Sequence, residues 1–414
     1  MLRSLRSLAF TLFAVSALVA CDGDMPGDGD AGDMGSDAGP MGDDAGMVDC
    51  TGRPSEAPVT RSETGMVYDA TRNRLVVYGG NTAASERCDV PPSVVVDEMW
   101  AFHFDCGNWE RLSPSGGPGL LVRHATVLDT MRDRMLVFGG RSSSSSYSNA
   151  VWAFDLATDT WSEVATTGDT PAPVAEAIAT YDAPRDRLVV FGGDPGGFVG
   201  SAGMYALDLA TNAWTQLDAT GGPGARLYHA GTRVGDELVV FGGATGFNPP
   251  YFNDTFIFDL STDTWRELTT TGNPQPRFGM ELIADEAGHR VLMAFGHDDT
   301  DLGNRNDVHA LDLGSGAWTE VHVGDTPNNP ATGMCMFPAD FTTLEDGTPE
   351  RRYSVGLAQT GTLAYAFGGK ADCGYLNDVW SIDVATGAWT RVRASTGGEV
   401  CLRTGRTDCT TLCF

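Results

Sequence analysis

The residues best suited to chemistry in this sequence are arginines that recur three positions after a proline. They occur in the phrases PVTR, PGAR, PQPR and PERR. Two similar segments depart from this spacing, because one has two extra residues between Pro118 and its Arg and the other has Glu where the rest have Arg. The series is Arg61, Arg123, Glu176, Arg226, Arg277 and Arg352. A guanidinium binds a carboxylate through paired hydrogen bonds, so a ring of these side chains predicts a site for an anion.

A structural interpretation of the same series stays open. Each Arg can instead pair with an acidic neighbour or with a backbone carbonyl of the next unit. A residue repeated in every unit is more typical of a scaffold than of a site, since binding sites need only a few convergent polar groups.

Catalytic and metal-binding motifs are not recognisable elsewhere in the chain. The sequence has no phosphate-binding loop, no HExxH, no CxxC and no GxSxG. The acidic segment from His297 to Asp301 could attract calcium, but a solvated loop is the simpler interpretation. His124 and His229 are interpreted as structural. We therefore predict no catalytic residue, no metal and no cofactor, which favours a protein that is not an enzyme.

Six repeated units must position these residues. Each unit has an apolar run that ends in an aromatic residue and two glycines, such as LVVYGG at Leu75–Gly80. A second phrase follows it, with an aromatic strand, an Asp-rich turn and a Trp. The closing residues are Trp109, Trp161, Trp214, Trp265, Trp318 and Trp389. Unit five departs with Gly296-His297, and unit six has an insertion at Thr326–Thr348.

Four antiparallel strands per unit, with a period of roughly fifty residues, are typical of a propeller blade. The double glycine, the aromatic strand and the spaced Trp resemble the Kelch family over Pro58–Arg393. The resemblance implies an all-β, six-bladed Kelch-type β-propeller in which each unit supplies the four strands of its own blade. In such a fold the glycines permit close packing and the Trp side chains fill the gaps between blades.

Strand alternation assigns the loops to two faces. We call the face where each first strand begins the top face. The connections between blades and the loops between second and third strands lie there, and the tight turns lie on the bottom face. The longest segments all belong to the top face, and they are Asn81–Val96, Asn248–Asn253, His297–Asn306, Thr326–Thr348 and Lys370–Leu376. Binding residues are commonly found on loops over a rigid scaffold, so the top face is the predicted site.

Enzymes with Kelch-like propellers supply the alternatives. The copper ligands of galactose oxidase have no recognisable counterpart here. Glu281, Asp285 and His289 have the spacing of the iron ligands of plant specifier proteins, but the strand map places His289 past a turn. N-acetylneuraminate epimerase is a six-bladed Kelch protein of the periplasm. A carbohydrate-active enzyme resembling it is therefore the alternative function, although its catalytic residues cannot be matched here.

The N-terminus has the pattern of an export signal. Arg3 and Arg6 precede a short apolar run that ends in Leu18-Val19-Ala20-Cys21. This ending resembles the bacterial lipobox, which implies cleavage before Cys21 and a lipid on its sulfur. An ordinary secretory signal is the alternative. The domain prediction is a signal peptide at 1–20, a disordered Asp/Gly-rich tether at 21–49, the propeller at 50–395 and a Cys-rich tail at 396–414.

Charge and cysteine content restrict the partners and the compartment. The net charge is −28, which opposes binding to a nucleic-acid backbone. Besides Cys21, eight cysteines remain for disulfides in an exported protein. They are Cys50, Cys88, Cys106, Cys335, Cys373, Cys401, Cys409 and Cys413. We expect Cys50 to pair with Cys401, Cys409 or Cys413 and so to close the ring, and Cys335 to pair with Cys373.

Together these features predict a monomeric binding module with an unidentified protein or glycan ligand. It would contact a membrane only through its lipid, in the cell envelope, on the periplasmic or outer side. The sequence does not distinguish the inner from the outer membrane.

Overall fold

The computed structural model describes residue 50 and residues 56–82, 94–246, 250–298, 303–325, 347–371 and 374–396. These residues form β-strands and turns, with a single 3-10 turn at Ala183–Arg185. Within that part of the chain, no helix is long and apolar enough to cross a bilayer. The predicted signal peptide, the tether and the tail after residue 396 lie outside the described residues.

Six antiparallel sheets of four consecutive strands are present in the described residues, and we name them blades 1 to 6. Blade 1 has Gly65–Asp69, Arg74–Tyr78, Met99–His103 and Asn108–Leu112; blade 2 has Ala125–Asp129, Arg134–Phe138, Val151–Asp155 and Thr160–Val164. Blade 3 has Ile178–Asp182, Arg187–Phe191, Met204–Asp208 and Ala213–Gln216; blade 4 has Ala230–Val234, Glu237–Phe241, Thr255–Asp259 and Thr264–Glu267. Blade 5 has Glu281–Asp285, Arg290–Ala294, Val308–Asp312 and Trp318–His322; blade 6 has Gly356–Gln359, Leu363–Phe367, Val379–Asp383 and Trp389–Arg393.

Shorter strands extend these sheets or form small ribbons on the top face. Thr167–Gly168 adds a parallel fifth strand to blade 3. The ribbons are Arg61–Ser62 with Asn81–Thr82 and Val94–Val95, Arg141–Ser143 with Ser146–Tyr147, Arg277–Phe278 with His297–Asp298, and Arg352–Tyr353 with Lys370–Ala371 and Gly374–Tyr375. The antiparallel order within every blade places turns and loops on the two faces as the sequence predicts.

Aromatic side chains fill the gaps between adjacent blades. The Trp of each fourth strand packs on the aromatic residue before, or within, the glycine doublet of the preceding blade. Trp214 lies 5.3 Å from Phe138, and Trp318 lies 5.0 Å from Phe241 (ring centroids). Since aromatic pairs contribute beyond the area they bury, these contacts stabilise each interface between blades.

The glycine doublets bring the backbones of adjacent blades together. The second glycine donates its N–H to the next blade, as Gly80 does to the Leu121 carbonyl at 3.0 Å. A Cβ on Gly79 would lie 2.4 Å from that same oxygen. The expected position of the doublet in blade 5, Gly296-His297, was wrong by one residue. Phe295 (φ 67°) and Gly296 occupy the positions of the first and second glycine, and Gly296 donates its N–H to the Arg352 carbonyl.

Arginines on the bottom face bind a buried carboxylate of their own blade and reach a more exposed carboxylate of the next blade. In blades 1 to 3 the first turn has the phrase Asp-x-x-Arg-x-Arg. Arg74 binds Asp69 within its own blade and reaches Asp159 of blade 2 at 2.8 Å. Arg187 likewise reaches Asp263 of blade 4 at 2.6 Å. Blades 1, 2 and 3 are therefore each joined to the next blade by charge-assisted hydrogen bonds, which are stronger than neutral ones.

The expected disulfide between Cys50 and the tail is wrong. Cys50 is bonded to Cys106, with a Cα–Cα distance of 5.7 Å. Cys106 lies in the bottom-face turn of blade 1, so the segment that carries Cys50 meets the bottom face there and not the top face. Cys88, Cys335, Cys373, Cys401, Cys409 and Cys413 lie outside the described residues.

The ring closes through the same contacts that join the other blades. Gly369 of blade 6 donates its N–H to the Arg61 carbonyl at 2.9 Å, and Asn377 donates its side-chain N–H to Pro58 at 2.7 Å. Trp109 packs 4.9 Å from Phe367. Within the described residues, no strand of blade 1 or blade 6 comes from the other end of the chain.

Candidate functional site

Four arginines of the predicted anion site are buried in salt bridges. Arg226, at most 1% exposed, binds both carboxylate oxygens of Asp254 at 2.8 and 3.0 Å. Arg277 and Arg352 bind Asp307 and Asp378 in the same two-pronged way, and Arg61 binds Glu98 at 2.6 Å. These guanidiniums also donate to backbone carbonyls of their own blades. With their donors engaged, they form scaffold rather than an anion site.

The alignment of Arg123 and Glu176 with these arginines is wrong by two residues. The glycine doublets of blades 1 and 2 donate to the carbonyls of Leu121 and Val174, whereas the doublet of blade 3 donates to Arg226. Leu121 and Val174 therefore occupy the arginine position, each three residues after a Pro. The positions of the acidic partners are taken by Ala150 and Gly203, so the Arg and its acid are absent from blades 2 and 3 together.

Arg123 and Glu176 instead belong to a set of residues around the top end of the central channel, which we call the inner ring. The inner ring consists of Glu63, Arg123, Glu176, Tyr228, Gly279 and Ser354. All six have φ between 52° and 64°, a left-handed conformation. Five backbone hydrogen bonds join successive members, including Glu176 N–H to the Arg123 carbonyl at 2.9 Å and Glu63 N–H to the Ser354 carbonyl at 2.9 Å. The backbone repeats while the side chains differ from blade to blade.

Side chains of the inner ring converge on Arg123. Its guanidinium lies 2.6 Å from a Glu63 oxygen and 3.0 Å from a Glu176 oxygen, and it donates to the Tyr228 hydroxyl. It also stacks over the Tyr228 ring, 5.0 Å from the centroid. Although burial opposes ionisation, the Arg123 charge holds the pKa of Glu63 below its usual range. Burial raises the pKa of Glu176 to about 8 and places that of Tyr228 well above normal.

A cavity of about 210 Å³, which we call the channel cavity, lies beneath the inner ring. Glu281 lines it, and burial together with the nearby Glu176 carboxylate raises the pKa of Glu281 to about 8. A second cavity of about 360 Å³ follows toward the bottom face, where Arg233 lines the wall. His124 and His229 also border the channel cavity, and burial lowers the pKa of both to about 3.

The residues with metal-ligand spacing do not converge. Glu281 and Asp285 lie at opposite ends of one strand, on the order of 13 Å apart at 3.3 Å per residue. Asp285 is bound to Arg290 at 2.7 Å. Asp298, from the acidic loop, is buried against Arg305. In the part of the chain that the structure describes, no cluster of three His, Cys, Asp or Glu side chains could hold a metal.

Glu63 and Tyr228 belong to this site but were not predicted from the sequence, and Glu281 was singled out there only for its spacing with Asp285 and His289. Their signal is weak, since each is a single departure from the repeat. Glu281 is the first residue of its strand, where the other blades have Gly65, Ala125, Ile178, Ala230 and Gly356.

Comparison with known families covers most of the described repeats. The profile of the Attractin/LZTR1 beta-propeller matches residues 51–244, that of the KLHDC2/KLHL20/DRC7 Kelch-repeats domain matches residues 175–341, and the Kelch motif matches residues 351–394. Nothing in these matches or in the described residues favours the epimerase-like alternative.

Individual relatives are distant. The chain is 28% identical to Acyl-CoA-binding domain-containing protein 5 of Arabidopsis thaliana over 228 residues, which is 54% of this chain and 33% of that protein. It is 28% identical to Kelch domain-containing protein 10 of Rattus norvegicus over 248 residues, covering 56% and 58%, and of Homo sapiens over 238 residues, covering 55% and 52%. The alignments thus span about a third of the plant protein and over half of the animal ones.

Proposed function

The chain belongs to the Kelch-repeat β-propeller family, and we propose that it is a binding module whose partner, a protein, docks on the top face around the inner ring. The inner ring carries this proposal. Its backbone is the same in every blade, but its side chains are Glu, Arg, Glu, Tyr, Gly and Ser. Repetition identifies the scaffold, and a departure from repetition at the top end of the channel indicates recognition.

Backbone conformation adds support. Five of the six inner-ring residues are not glycine. Each of these five has a left-handed φ, which costs a residue with a Cβ about 1 kcal/mol. Gly279 shows that glycine fits the position. Strain that a protein retains at clustered positions is typical of functional sites.

Two arginines at opposite ends of the channel provide the test. Arg123→Gln changes the inner ring, whereas Arg233→Gln makes the same chemical change near the bottom face. The full chain and both variants would be immobilised and exposed to a cell-envelope extract, with bound proteins quantified by mass spectrometry. We expect one protein to be retained by the wild type and by Arg233→Gln, and to fall at least tenfold with Arg123→Gln.

Tyr228→Phe is a second, smaller change to the inner ring, because it removes only the hydroxyl that accepts a hydrogen bond from Arg123. It shows whether a loss of binding in Arg123→Gln could come from misfolding. Thermal melting would confirm that all variants fold. Retention that Arg123→Gln and Tyr228→Phe leave unchanged would overturn the proposal. Specific binding to a glycan array in place of a protein would overturn the assigned class of partner.

We propose also that a lipid on Cys21 holds this module at a membrane on its extracytoplasmic side. The sequence Leu18-Val19-Ala20-Cys21 supports it, as does the acidic segment that follows. Metabolic labelling with a fatty-acid analogue should mark the protein, and Cys21→Ala should abolish the label. Labelling that persists in this variant would contradict the attachment site.

A further inference from the structure

We propose that the channel cavity binds a primary ammonium group, supplied by a lysine side chain of the docked partner, and that Glu281 accepts it. This inference rests on the proposed function, because the partner on the top face presents the lysine. Four features of the channel cavity carry it: the position of Glu281, its lack of a partner, the engagement of Arg123 by other groups and the polar wall of the space.

Glu281 breaks a repeated pattern inside the channel. The first residue of the first strand is small or apolar in the other five blades. The other five blades form the same strand without an acid at this position, so the scaffold does not require one. Its side chain is partly buried and borders the cavity. Such a departure from an apolar slot points to a ligand.

The Glu281 carboxylate has no hydrogen-bond or ion-pair partner among the described residues. Other acids of the top face are paired, for instance Asp307 with Arg277 and Asp378 with Arg352. A partly buried carboxylate that borders a cavity and has no partner in the described part of the chain can accept hydrogen bonds from a ligand in that cavity.

Glu281 offers an incoming cation an acceptor, whereas the nearest guanidinium is already occupied. Arg123 is already engaged by Glu63, Glu176 and Tyr228, which leaves it no free fork for an incoming carboxylate. Glu281 interacts electrostatically with Glu176, and the two carry like charges only when both are ionised, above about pH 8. Lys370 and Arg141 lie over the rings of Tyr353 and Phe198 and are not paired with Glu281.

The remaining wall groups of the channel cavity fit an ammonium on a slender chain. The channel cavity of about 210 Å³ and the second cavity of about 360 Å³ share the wall residues Met66 and Thr126. Elsewhere on the wall, the buried hydroxyl oxygens of Thr64 and Thr126 have no partner among the described residues. An ammonium has three donors and no acceptor, which suits a wall of carboxylate and hydroxyl oxygens.

The test measures binding of n-pentylammonium, which reproduces a lysine side chain with its Cα, to the full chain at pH 8.5 by calorimetry or ligand-observed NMR. The neutral n-pentanol and the donor-free tetramethylammonium are the matched probes. We expect n-pentylammonium to bind at least tenfold more tightly than either. Glu281→Gln should lower its affinity at least tenfold, and the exposed Glu320→Gln should leave it unchanged.

Proton linkage provides a second readout. The other titratable groups that line the cavity are Glu63, Arg123, His124, Glu176, Tyr228 and His229. Since Glu281 must lose a proton to bind the cation, affinity should rise by up to tenfold per pH unit from pH 6 to about 8, with proton release on binding. Both effects should disappear in Glu281→Gln. Glu281→Ala, which copies blades 2 and 4, repeats the test in a side chain that the fold already accepts.

Equal binding of n-pentylammonium and n-pentanol, or unchanged binding in both Glu281 variants, would overturn the inference. An acetyl-Gly-Lys-Gly-amide peptide and glucosamine distinguish the source of the ammonium, and preference for the amino sugar would overturn the assignment to lysine. The proposed function fails separately, since it depends on partner retention by Arg123→Gln and Tyr228→Phe rather than on these probes.

Discussion

The pair of Arg226 and Asp254 tests whether the repeated arginines are scaffold. Its guanidinium is at most 1% exposed, while the Asp254 side chain is 32% exposed. Blades 2 and 3 replace this pair by Leu121 with Ala150 and by Val174 with Gly203. The informative substitutions are therefore Asp254→Ala, Arg226→Leu and the two combined, which copies blade 2 into blade 4.

The expected free energies of unfolding follow from burial. Asp254→Ala leaves a buried guanidinium without its counter-charge, which typically costs about 3–5 kcal/mol. We expect the lower end, about 3 kcal/mol, because Arg226 keeps the carbonyls of Gly242 and Gly224 as acceptors at 3.0 and 3.2 Å. Arg226→Leu leaves Asp254 able to rehydrate, so about 1–2 kcal/mol is expected.

The double variant should lose no more than Arg226→Leu alone, about 1–2 kcal/mol, because neither charge remains to be left unpaired. Adding Arg226→Leu to Asp254→Ala should thus restore stability, with a coupling energy of about 3 kcal/mol. Urea unfolding followed by two spectroscopic probes measures all four proteins and checks two-state behaviour.

The control is a double-mutant cycle on Arg266 and Glu237, whose side chains are 47% and 23% exposed and lie 2.6 Å apart. Exposed pairs of this kind couple by about 0.2–1 kcal/mol. If the losses at Arg226 and Asp254 add within about 0.5 kcal/mol, the pair is not a coupled scaffold unit and the reasoning is refuted.

Reduction of the Cys50–Cys106 bond, which spans 56 positions, should lower the free energy of unfolding by about 4 kcal/mol in the chain-entropy model. Non-reducing peptide mapping should recover these two cysteines together rather than Cys50 with a tail peptide. His124 and His229 have folded-state pKa values of about 3, below the unfolded value of about 6.5, so the free energy of unfolding should decrease as the pH falls from about 6.5 to 3. Because both rings stay neutral in the folded protein, their NMR signals should not titrate above pH 5. Glu281 has a raised folded-state pKa of about 8, so the stability that it contributes below pH 4.5 should be lost as the pH rises through 8. In urea unfolding recorded from pH 5 to 9, Glu281→Gln should reduce the fall of the free energy of unfolding with pH, and an unchanged fall would contradict the raised pKa.

Local patterns in the sequence determined the blade and its orientation. The apolar runs, the glycine doublets and the recurring Trp predict four antiparallel strands and assign each turn or loop to a face, because strand alternation and turn chemistry act over a few residues. The Trp residues also pack between blades as predicted, with Trp109 and Phe367 repeating at the closing interface what Trp214 and Phe138 do elsewhere. Repetition was sufficient evidence for these features.

Contacts between blades decided what the sequence could not. Arg123 was assigned to the arginine position by residue type. The N–H of Gly80 instead donates to the Leu121 carbonyl, so Leu121 occupies that position and Arg123, two residues later, lies in the inner ring. The same limit applies to Cys50, whose partner depends on where the chain enters blade 1. Along the chain Glu281 is distinguished only by its spacing with Asp285 and His289, and it becomes a candidate for this site only when six first strands surround one cavity. Spacing along a chain records which residues repeat, but only packing brings residues from different blades to the same wall, and it is there that the charge of Glu281 lacks a partner.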